Sequence, residues 1–199
     1  MSDKDQEKRE RILKTAVHLF GKEGYHGTRM SLVASAARVS PKTLYRFFPA
    51  KKELFIAARG YATNKLVTDM LSRLPEKQLS DALAVGKNLL KSYSGFIRKN
   101  RGLARILAEA VAIVDPDIQR DQREGFAVTV EGLGAVLNAD MRKGRLHLSG
   151  DPKELARLFL SFASLVAYAV LLDLDRPGVG GFNPDYALDL FFSAMRESS

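Results

Sequence analysis

Residues 39–55 read VSPKTLYRFFPAKKELF, and this stretch decides how the first part of the chain folds. Ser40 supplies an N-cap hydroxyl, and Pro41 follows at the first helical position, where the missing N–H costs nothing. A helix is therefore predicted from Pro41 to about Phe48, and Pro49 ends it.

This predicted helix has two different faces. With about 100° of rotation per residue, Leu44 and Phe48 lie on one side. The other side carries two cations, a hydroxyl and a phenol: Lys42, Arg46, Thr43 and Tyr45. Such groups can contact phosphates and base edges, and the major groove of DNA is wide enough to admit a helix. An ordinary solvated surface helix is the alternative interpretation.

Two shorter patterns before this helix count against that alternative. Residues 7–23 have the apolar spacing of an amphipathic helix, and Gly24 ends it because glycine adopts the left-handed conformation at low cost. A second, short helix begins at Thr28 or Arg29 and runs through Ala37. A short helix and a tight turn directly before the cationic helix therefore favour the interpretation that its polar face contacts DNA.

The charge of the chain is concentrated at its front. The net charge is +8, and residues 1–55 contain 12 lysines and arginines against six acids. The other 144 residues contain 19 against 17. No acid occurs in the 29 residues between Glu23 and Glu53. A surface of this sign attracts polyanions such as nucleic acid.

The composition also excludes several classes of site. The 199 residues include no cysteine, so neither a disulfide framework nor a thiolate metal site can form. The three histidines, His18, His26 and His147, are too scattered to suggest a metal cluster, and we expect no cofactor. No secretion signal is evident, and the longest nearly apolar run, residues 158–172, is shorter than the roughly 18–20 residues of a membrane span. A soluble, cytoplasmic protein without a membrane partner is expected.

Residues 12–55 resemble the DNA-binding region of TetR-family transcriptional regulators. The resemblance rests on AVHLFGKEGYHGT (residues 16–28) and SLVASAARVSPKTLYRFFPAKKELF (residues 31–55). It implies that the helix from Pro41 to Phe48 is the recognition helix and that Lys51 holds a phosphate at the start of the fourth helix. The full set of implied DNA-binding residues is Arg29, Met30, Ser31, Ser40, Lys42, Thr43, Tyr45, Arg46 and Lys51.

Four positions depart from the family pattern: Arg29, Arg38, Phe47 and Ala50. Arg38 stands where glycine is common, so the turn between the two helices is expected to be strained if its backbone is left-handed. Phe47 lacks the phosphate hydrogen bond that histidine or tyrosine supplies at this position in the family. Ala50 cannot cap the fourth helix.

The rest of the chain predicts helices and no strands, which makes the expected fold class all-α. Helices are predicted at about 51–74, 80–99, 103–114 and 116–143, with two more beginning at Pro152 and Pro184. The resemblance implies an N-terminal three-helix helix-turn-helix DNA-binding domain over residues 1–50. A larger helical ligand-binding and dimerisation domain is expected over residues 51–199.

The last two predicted helices are unusually apolar. Residues 158–172 carry no charge, so this helix must be covered on both sides. We predict a two-fold dimer interface, and burial within one chain is the alternative. The resemblance also implies a four-helix dimer bundle here. The predicted interface residues are Leu158, Phe162, Leu165, Tyr168, Leu172, Leu188, Phe191, Phe192 and Met195.

A ligand cavity among the middle helices is implied by the resemblance. The candidate lining residues are Met70, Tyr93, Phe96, Arg105, Glu109 and Phe126. For the aromatic residues the alternative is ordinary core packing, and for Arg105 and Glu109 it is a solvated i, i+4 ion pair.

The function expected is a homodimeric regulator of transcription, most often a repressor in this family. Two recognition helices would bind a palindromic operator in double-stranded DNA. Binding of a small apolar or amphipathic inducer would release the protein from this operator. An all-α enzyme and a helical adaptor are the competing hypotheses. No nucleophilic cysteine, histidine pair or phosphate loop supports an enzyme, and a weak salt dependence of binding would mark an adaptor.

Overall fold

The computed structural model describes residues 2–72, 82–144, 150–173, 183, 186–187 and 190. Within these ranges the chain forms helices and no strand, which confirms the all-α prediction. The helices are α1 (Asp3–Gly27), α2 (Met30–Ala36), α3 (Pro41–Phe47), α4 (Lys51–Leu71), α5 (Ala82–Lys99), α6 (Arg101–Ala112), α7 (Pro116–Arg142) and α8 (Pro152–Leu171). Most of the helix predicted to follow Asn183 lies outside the described residues.

Helix α1 is longer than the sequence pattern predicts. It begins at Asp3 because the Ser2 hydroxyl accepts a hydrogen bond from the Asp5 N–H (3.3 Å) and two acids in the first turn complement the helix dipole. Gly24, predicted to end this helix, has φ 76° and breaks it. One further turn then continues to Gly27. The first helical segment therefore ends at Gly24, as predicted, and one additional turn follows this residue.

The chain divides into two compact units that do not follow the order of the sequence. The first unit contains residues 1–66 and 100–122, and the second contains residues 67–99 and 123–199. The predicted functional division between residues 50 and 51 concerns the roles of the two segments and stays a prediction.

The first unit is organised around one apolar cluster. The ring of Phe20 meets the ring of Phe55 edge-on, with 5.2 Å between their centroids. Burial of such large side chains supplies most of the free energy that favours folding. The larger members of the cluster are Ile12, Phe20, Val33, Leu44, Phe48, Leu54, Phe55, Ile106, Ile113 and Ile118. They come from all four N-terminal helices, from α6 and from the start of α7, so this core holds the helix-turn-helix segment in place.

Helices α1 and α6 approach each other closely at a pair of glycines. A Cβ atom built on Gly21 would lie 2.8 Å from the Cα atom of Gly102, closer than real contacts allow. Because neither residue has a side chain, the two backbones can pack directly together.

In the second unit, α5 packs against α8. Leu90 and Ala163 are buried between them, with Tyr93, Phe159 and Phe162 partly buried alongside. Asp151 caps α8, which begins at Pro152 as predicted, because its carboxylate accepts hydrogen bonds from the N–H groups of Lys153 (2.9 Å) and Glu154 (3.0 Å).

Helix α8 is long and apolar enough, by length and composition alone, to cross a membrane. In this chain 39% of its most apolar segment is buried inside the protein. The core helices of soluble proteins share these features, so the length of α8 does not by itself indicate a membrane span.

Candidate nucleic-acid interface

The turn between α2 and α3 sets the direction of α3. The Arg38 N–H donates to the Ser35 carbonyl (3.0 Å), and the Val39 N–H donates to the Ala34 carbonyl (3.0 Å). This pair of bonds is the Schellman motif, whose key residue adopts the left-handed conformation and is usually glycine. Arg38 occupies that position with φ 53°, so the strain expected for a left-handed turn is present.

Helix α3 is short but firmly capped at its start. The Ser40 hydroxyl accepts a hydrogen bond from the Thr43 N–H (3.1 Å), and Pro41 is the first helical residue. The hydroxyl oxygens of Ser40 and Thr43 also lie 2.9 Å apart and share a hydrogen bond. Both hydroxyls are therefore partly engaged in the cap.

The two predicted faces of α3 are observed. Leu44 is fully buried and Phe48 nearly so. Lys42, Tyr45 and Arg46 are exposed. One face thus anchors the helix in the apolar core while the other presents two cations and a phenol to the surroundings. That these residues bind DNA stays a prediction.

Arg46 is held by two neighbours. Its NH2 group donates to the Asp5 carboxylate in the first turn of α1 (2.7 Å). Its guanidinium carbon lies 4.6 Å from the centroid of the Phe47 ring, a cation–π distance. Asp5 was not predicted from the sequence, because it lies 41 residues from Arg46 and local spacing carries no signal of the contact.

Lys51, at the first position of α4, is also held in place. Its ammonium group donates to the His26 carbonyl (3.3 Å) and lies 4.6 Å from the centroid of the Tyr25 ring. Partial burial lowers the pKa of Lys51 below its usual value. The end of α1 thus positions a cation at the N-terminus of α4, where an anion would be favoured.

The start of α4 has a cap that was not predicted from the sequence. The Ala50 N–H donates to the Glu53 carboxylate (2.8 Å), which is half of a capping box. The Leu54 N–H donates to the Ala50 carbonyl (3.3 Å), so Ala50 is the N-cap residue. The other half of the box is missing because alanine has no side-chain acceptor.

The remaining candidate DNA contacts surround the start of α2. Arg29 and Ser31 are exposed, and Met30 is half-buried. An open hollow of about 460 Å³ on this side is lined by Glu23, Gly27, Arg29, Ser31 and Leu32.

Arg105 and Glu109, named above as candidate ligand-lining residues, lie in the first unit at the break in α1. The Arg105 Nε donates to Glu109 Oε1 (2.8 Å), which is the i, i+4 pair given as the alternative. Glu109 Oε2 accepts from the Tyr25 N–H (2.7 Å), and the Arg105 NH1 group donates to the Lys22 carbonyl (2.8 Å). The pair therefore binds polar backbone groups on either side of Gly24.

The other candidate ligand residues belong to the second unit. Phe96 is buried, and Phe126 is exposed. Burial raises the pKa of Tyr93 to about 12. The side chain of Met70 lies outside what the structure describes. Ligand binding by any of these residues stays a prediction.

The candidate dimer residues of α8 form an exposed apolar stripe. Leu158, Leu165, Tyr168 and Leu172 are between 40% and 65% exposed. Phe162 is half-buried beside Leu90 and Ala163. The remaining candidates lie outside the described residues: Leu188, Phe191, Phe192 and Met195.

The sequence and the fold are similar to those of known regulators. Residues 12–58 match the family model described as bacterial regulatory proteins, tetR family. The chain is 28% identical over 139 residues to the transcriptional repressor NicS of Pseudomonas putida, a match covering 59% of this chain and 65% of NicS. It is 41% identical over 59 residues to the repressor KstR of Mycolicibacterium smegmatis, covering 30% of this chain and 29% of KstR. The matches span less than two thirds of either relative, and both relatives are transcriptional repressors.

A solved structure resembles the chain over nearly its whole length. The transcriptional regulator FadR of Bacillus subtilis, solved in complex with stearoyl-CoA, covers 94% of this chain with 96% of its own. The TM-score is 0.72 at 16% sequence identity. At this identity the likeness establishes a shared all-α fold.

Proposed function

We propose that this chain, a member of the tetR family of bacterial regulatory proteins, is a homodimeric DNA-binding transcriptional regulator, most simply a repressor. The observation that carries the proposal is helix α3. It is capped by Ser40, anchored through Leu44, and exposes Lys42, Tyr45 and Arg46 on one face. An element of this kind has the size and the chemistry to enter a major groove.

The exposed groups divide between two tasks. Arg46 has a planar guanidinium suited to base edges, and Lys42 is a point charge suited to phosphates. Tyr45 and Thr43 are assigned to phosphates or thymine methyl groups. Lys51 is assigned to a phosphate at the N-terminus of α4, where the helix dipole adds to its charge.

Four further residues complete the proposed interface. Arg29 and Ser31 are exposed at the start of α2. Met30, the first residue of α2, and Ser40, the N-cap residue of α3, are assigned to the edge of the contact. These contacts would fix the register of the protein on the duplex and carry little sequence information.

The proposed dimer forms through the exposed stripe of α8. Leu158, Leu165 and Leu172 recur every seven residues on one side of the helix, and Tyr168 lies between the last two. Leaving such a stripe in water forgoes about 25 cal/mol for each Å² that a partner could cover. A two-fold axis would present two copies of α3, which then requires a palindromic operator with half-sites about one helical turn apart.

The proposed inducer is a small apolar or amphipathic molecule. FadR of Bacillus subtilis, which shares the fold, was solved with stearoyl-CoA, a molecule with an apolar chain and a polar head. We therefore assign the same chemical class to this chain, as the first to be tested. Such a ligand releases the operator only if it binds the two states of the dimer with unequal affinity. We assign the protein to the cytoplasm, because the proposed operator DNA of a bacterium lies there.

The test is selection of duplexes from a random pool by the purified protein, followed by fluorescence anisotropy at several salt concentrations. We expect one palindromic sequence to be enriched and its affinity to fall steeply with salt, because bound counterions are released. Lys42→Ala should lower the slope of log affinity against log salt by about 1, as loss of one phosphate contact does. Lys65→Ala, an exposed lysine on α4, is the matched control. Enrichment of no sequence together with a flat salt dependence would refute the proposal.

A further inference from the structure

Arg46 is the exposed arginine of the α3 face, and an acid from a distant part of the chain contacts it. The Asp5 carboxylate lies 2.7 Å from its NH2 group, although Asp5 belongs to the first turn of α1. The residues around Arg46 in sequence supply no such partner, since no acid occurs between Glu23 and Glu53. The fold therefore places the Asp5 carboxylate at the exposed face of α3, although the sequence between Glu23 and Glu53 contains no acid.

The contact is poorly suited to stabilising the fold. The side chains of Arg46 and Asp5 are 57% and 29% exposed. Ion pairs this accessible to water contribute little to folding stability, because solvent screens them and ordering both side chains costs entropy. We therefore expect the Asp5–Arg46 contact to change how the Arg46 guanidinium binds another charged molecule.

The contact also fixes the direction of the guanidinium. Asp5 binds one end of the group, and the ring of Phe47 lies 4.6 Å from its central carbon. An arginine held on two sides presents its remaining N–H groups in one orientation. Holding a group in its bound orientation removes an entropic cost from binding and restricts which partners it fits.

We propose that Asp5 is a positioning residue that gives Arg46 its selectivity for the operator. This inference rests on the proposed function. The carboxylate orients the guanidinium toward a base edge. It also offsets the charge of Arg46, so that phosphates of unrelated DNA attract it less. The reduced charge weakens binding to every duplex. The fixed orientation of the guanidinium strengthens binding only to the duplex with the matching base, and selectivity arises from this difference.

The experiment compares two duplexes of equal length: one recovered from the random pool and a scrambled version of it. The readout is the ratio of their dissociation constants by fluorescence anisotropy. Asp5→Asn should tighten binding to the scrambled duplex and lower this ratio by about fivefold, the lower end of what one base contact contributes. The salt slope on the scrambled duplex should steepen by about 1, because the released arginine gains a phosphate.

Matched variants separate this role from a general charge effect. Asp3→Asn removes the same charge from the same first turn and should leave the ratio unchanged. Asp5→Glu keeps a carboxylate and should retain most of the ratio. In an Arg46→Gln background, Asp5→Asn should have no further effect on the ratio, because the group it positions is absent.

An unchanged or increased ratio in Asp5→Asn would overturn the inference, as would an equal fall in the Arg46→Gln background. These failures differ from failure of the proposed function. If the wild-type protein binds the recovered duplex more tightly than the scrambled one, and Asp5→Asn keeps the same ratio of dissociation constants, only the role of Asp5 is wrong. If the wild-type ratio is one, the inference is wrong and so is the proposal of a sequence-specific operator, whatever the salt dependence.

Discussion

Replacement of Glu109 by alanine tests how the break in α1 is held. One carboxylate oxygen of Glu109 accepts from the Tyr25 N–H at 2.7 Å, and the other pairs with Arg105 at 2.8 Å. The Tyr25 N–H directly follows Gly24, where the helix is interrupted, and alanine would offer it no acceptor. The bond to a charged acceptor is therefore the main loss.

The expected cost can be assembled from these contacts. A hydrogen bond to a charged group contributes about 1.5–3 kcal/mol. The Arg105 and Glu109 side chains are 43% and 28% exposed, so water screens the ion pair. Such a pair adds about 0.2–1 kcal/mol. The higher helix propensity of alanine returns a few tenths of a kcal/mol. Glu109→Ala should therefore lower the free energy of unfolding by about 1.5–3.5 kcal/mol.

Urea denaturation followed by far-ultraviolet circular dichroism measures this change, and the helical signal suits a chain without tryptophan. Glu109→Gln keeps a neutral acceptor and should lose less than alanine does. Glu124→Ala, at an exposed position within α7, is the matched control for the change in helix propensity. If the free energies of unfolding of Glu109→Ala and Glu124→Ala agree within about 0.5 kcal/mol, the role assigned to the Glu109 carboxylate is refuted.

Three further substitutions test other features of the first unit. Ala50→Ser should stabilise the protein by about 0.5–2 kcal/mol, because it completes the capping box that Glu53 already half forms. Gly21→Ala should destabilise it by about 1–3 kcal/mol, because the new Cβ atom would lie 2.8 Å from the backbone of Gly102. Arg38→Gly should stabilise it by about 1 kcal/mol by relieving a non-glycine residue at φ 53°. Thermal unfolding of the purified variants measures all three.

Each of these substitutions has its own contrary result. An unchanged or lower melting temperature for Ala50→Ser would count against Ala50 as the N-cap of α4. Gly95→Ala, where a Cβ atom would meet open space, is the control for the glycine substitution, and equal melting temperatures for the two would contradict the close approach. A lower melting temperature for Arg38→Gly would show that the arginine side chain contributes more than its backbone strain costs.

The helix-turn-helix segment could be predicted because its signals are local. Ser40 and Pro41 mark the start of α3, and the rotation per residue separates Leu44 from its exposed face. Each of these rules acts within one or two turns of helix. For Arg38, strain was expected only on the condition that the turn is left-handed, and its φ of 53° meets that condition.

The contacts that hold the candidate site in place could not be predicted in this way. Asp5 meets Arg46 across 41 residues, and Glu109 meets Tyr25 across 84. Helical periodicity carries no information about which helices pack together, so pairs this distant depend on the tertiary fold. The early start of α1 was missed for another reason, because the apolar pattern begins several residues after the Ser2 cap.

The central claim is that two copies of α3, related by dimerisation through α8, bind one duplex. Analytical ultracentrifugation of the purified protein with the duplex recovered from the random pool tests it most directly. We predict a dimer at micromolar concentration and a complex of two chains per duplex in dilute buffer. A protein that sediments as a monomer and leaves every duplex free would contradict the account.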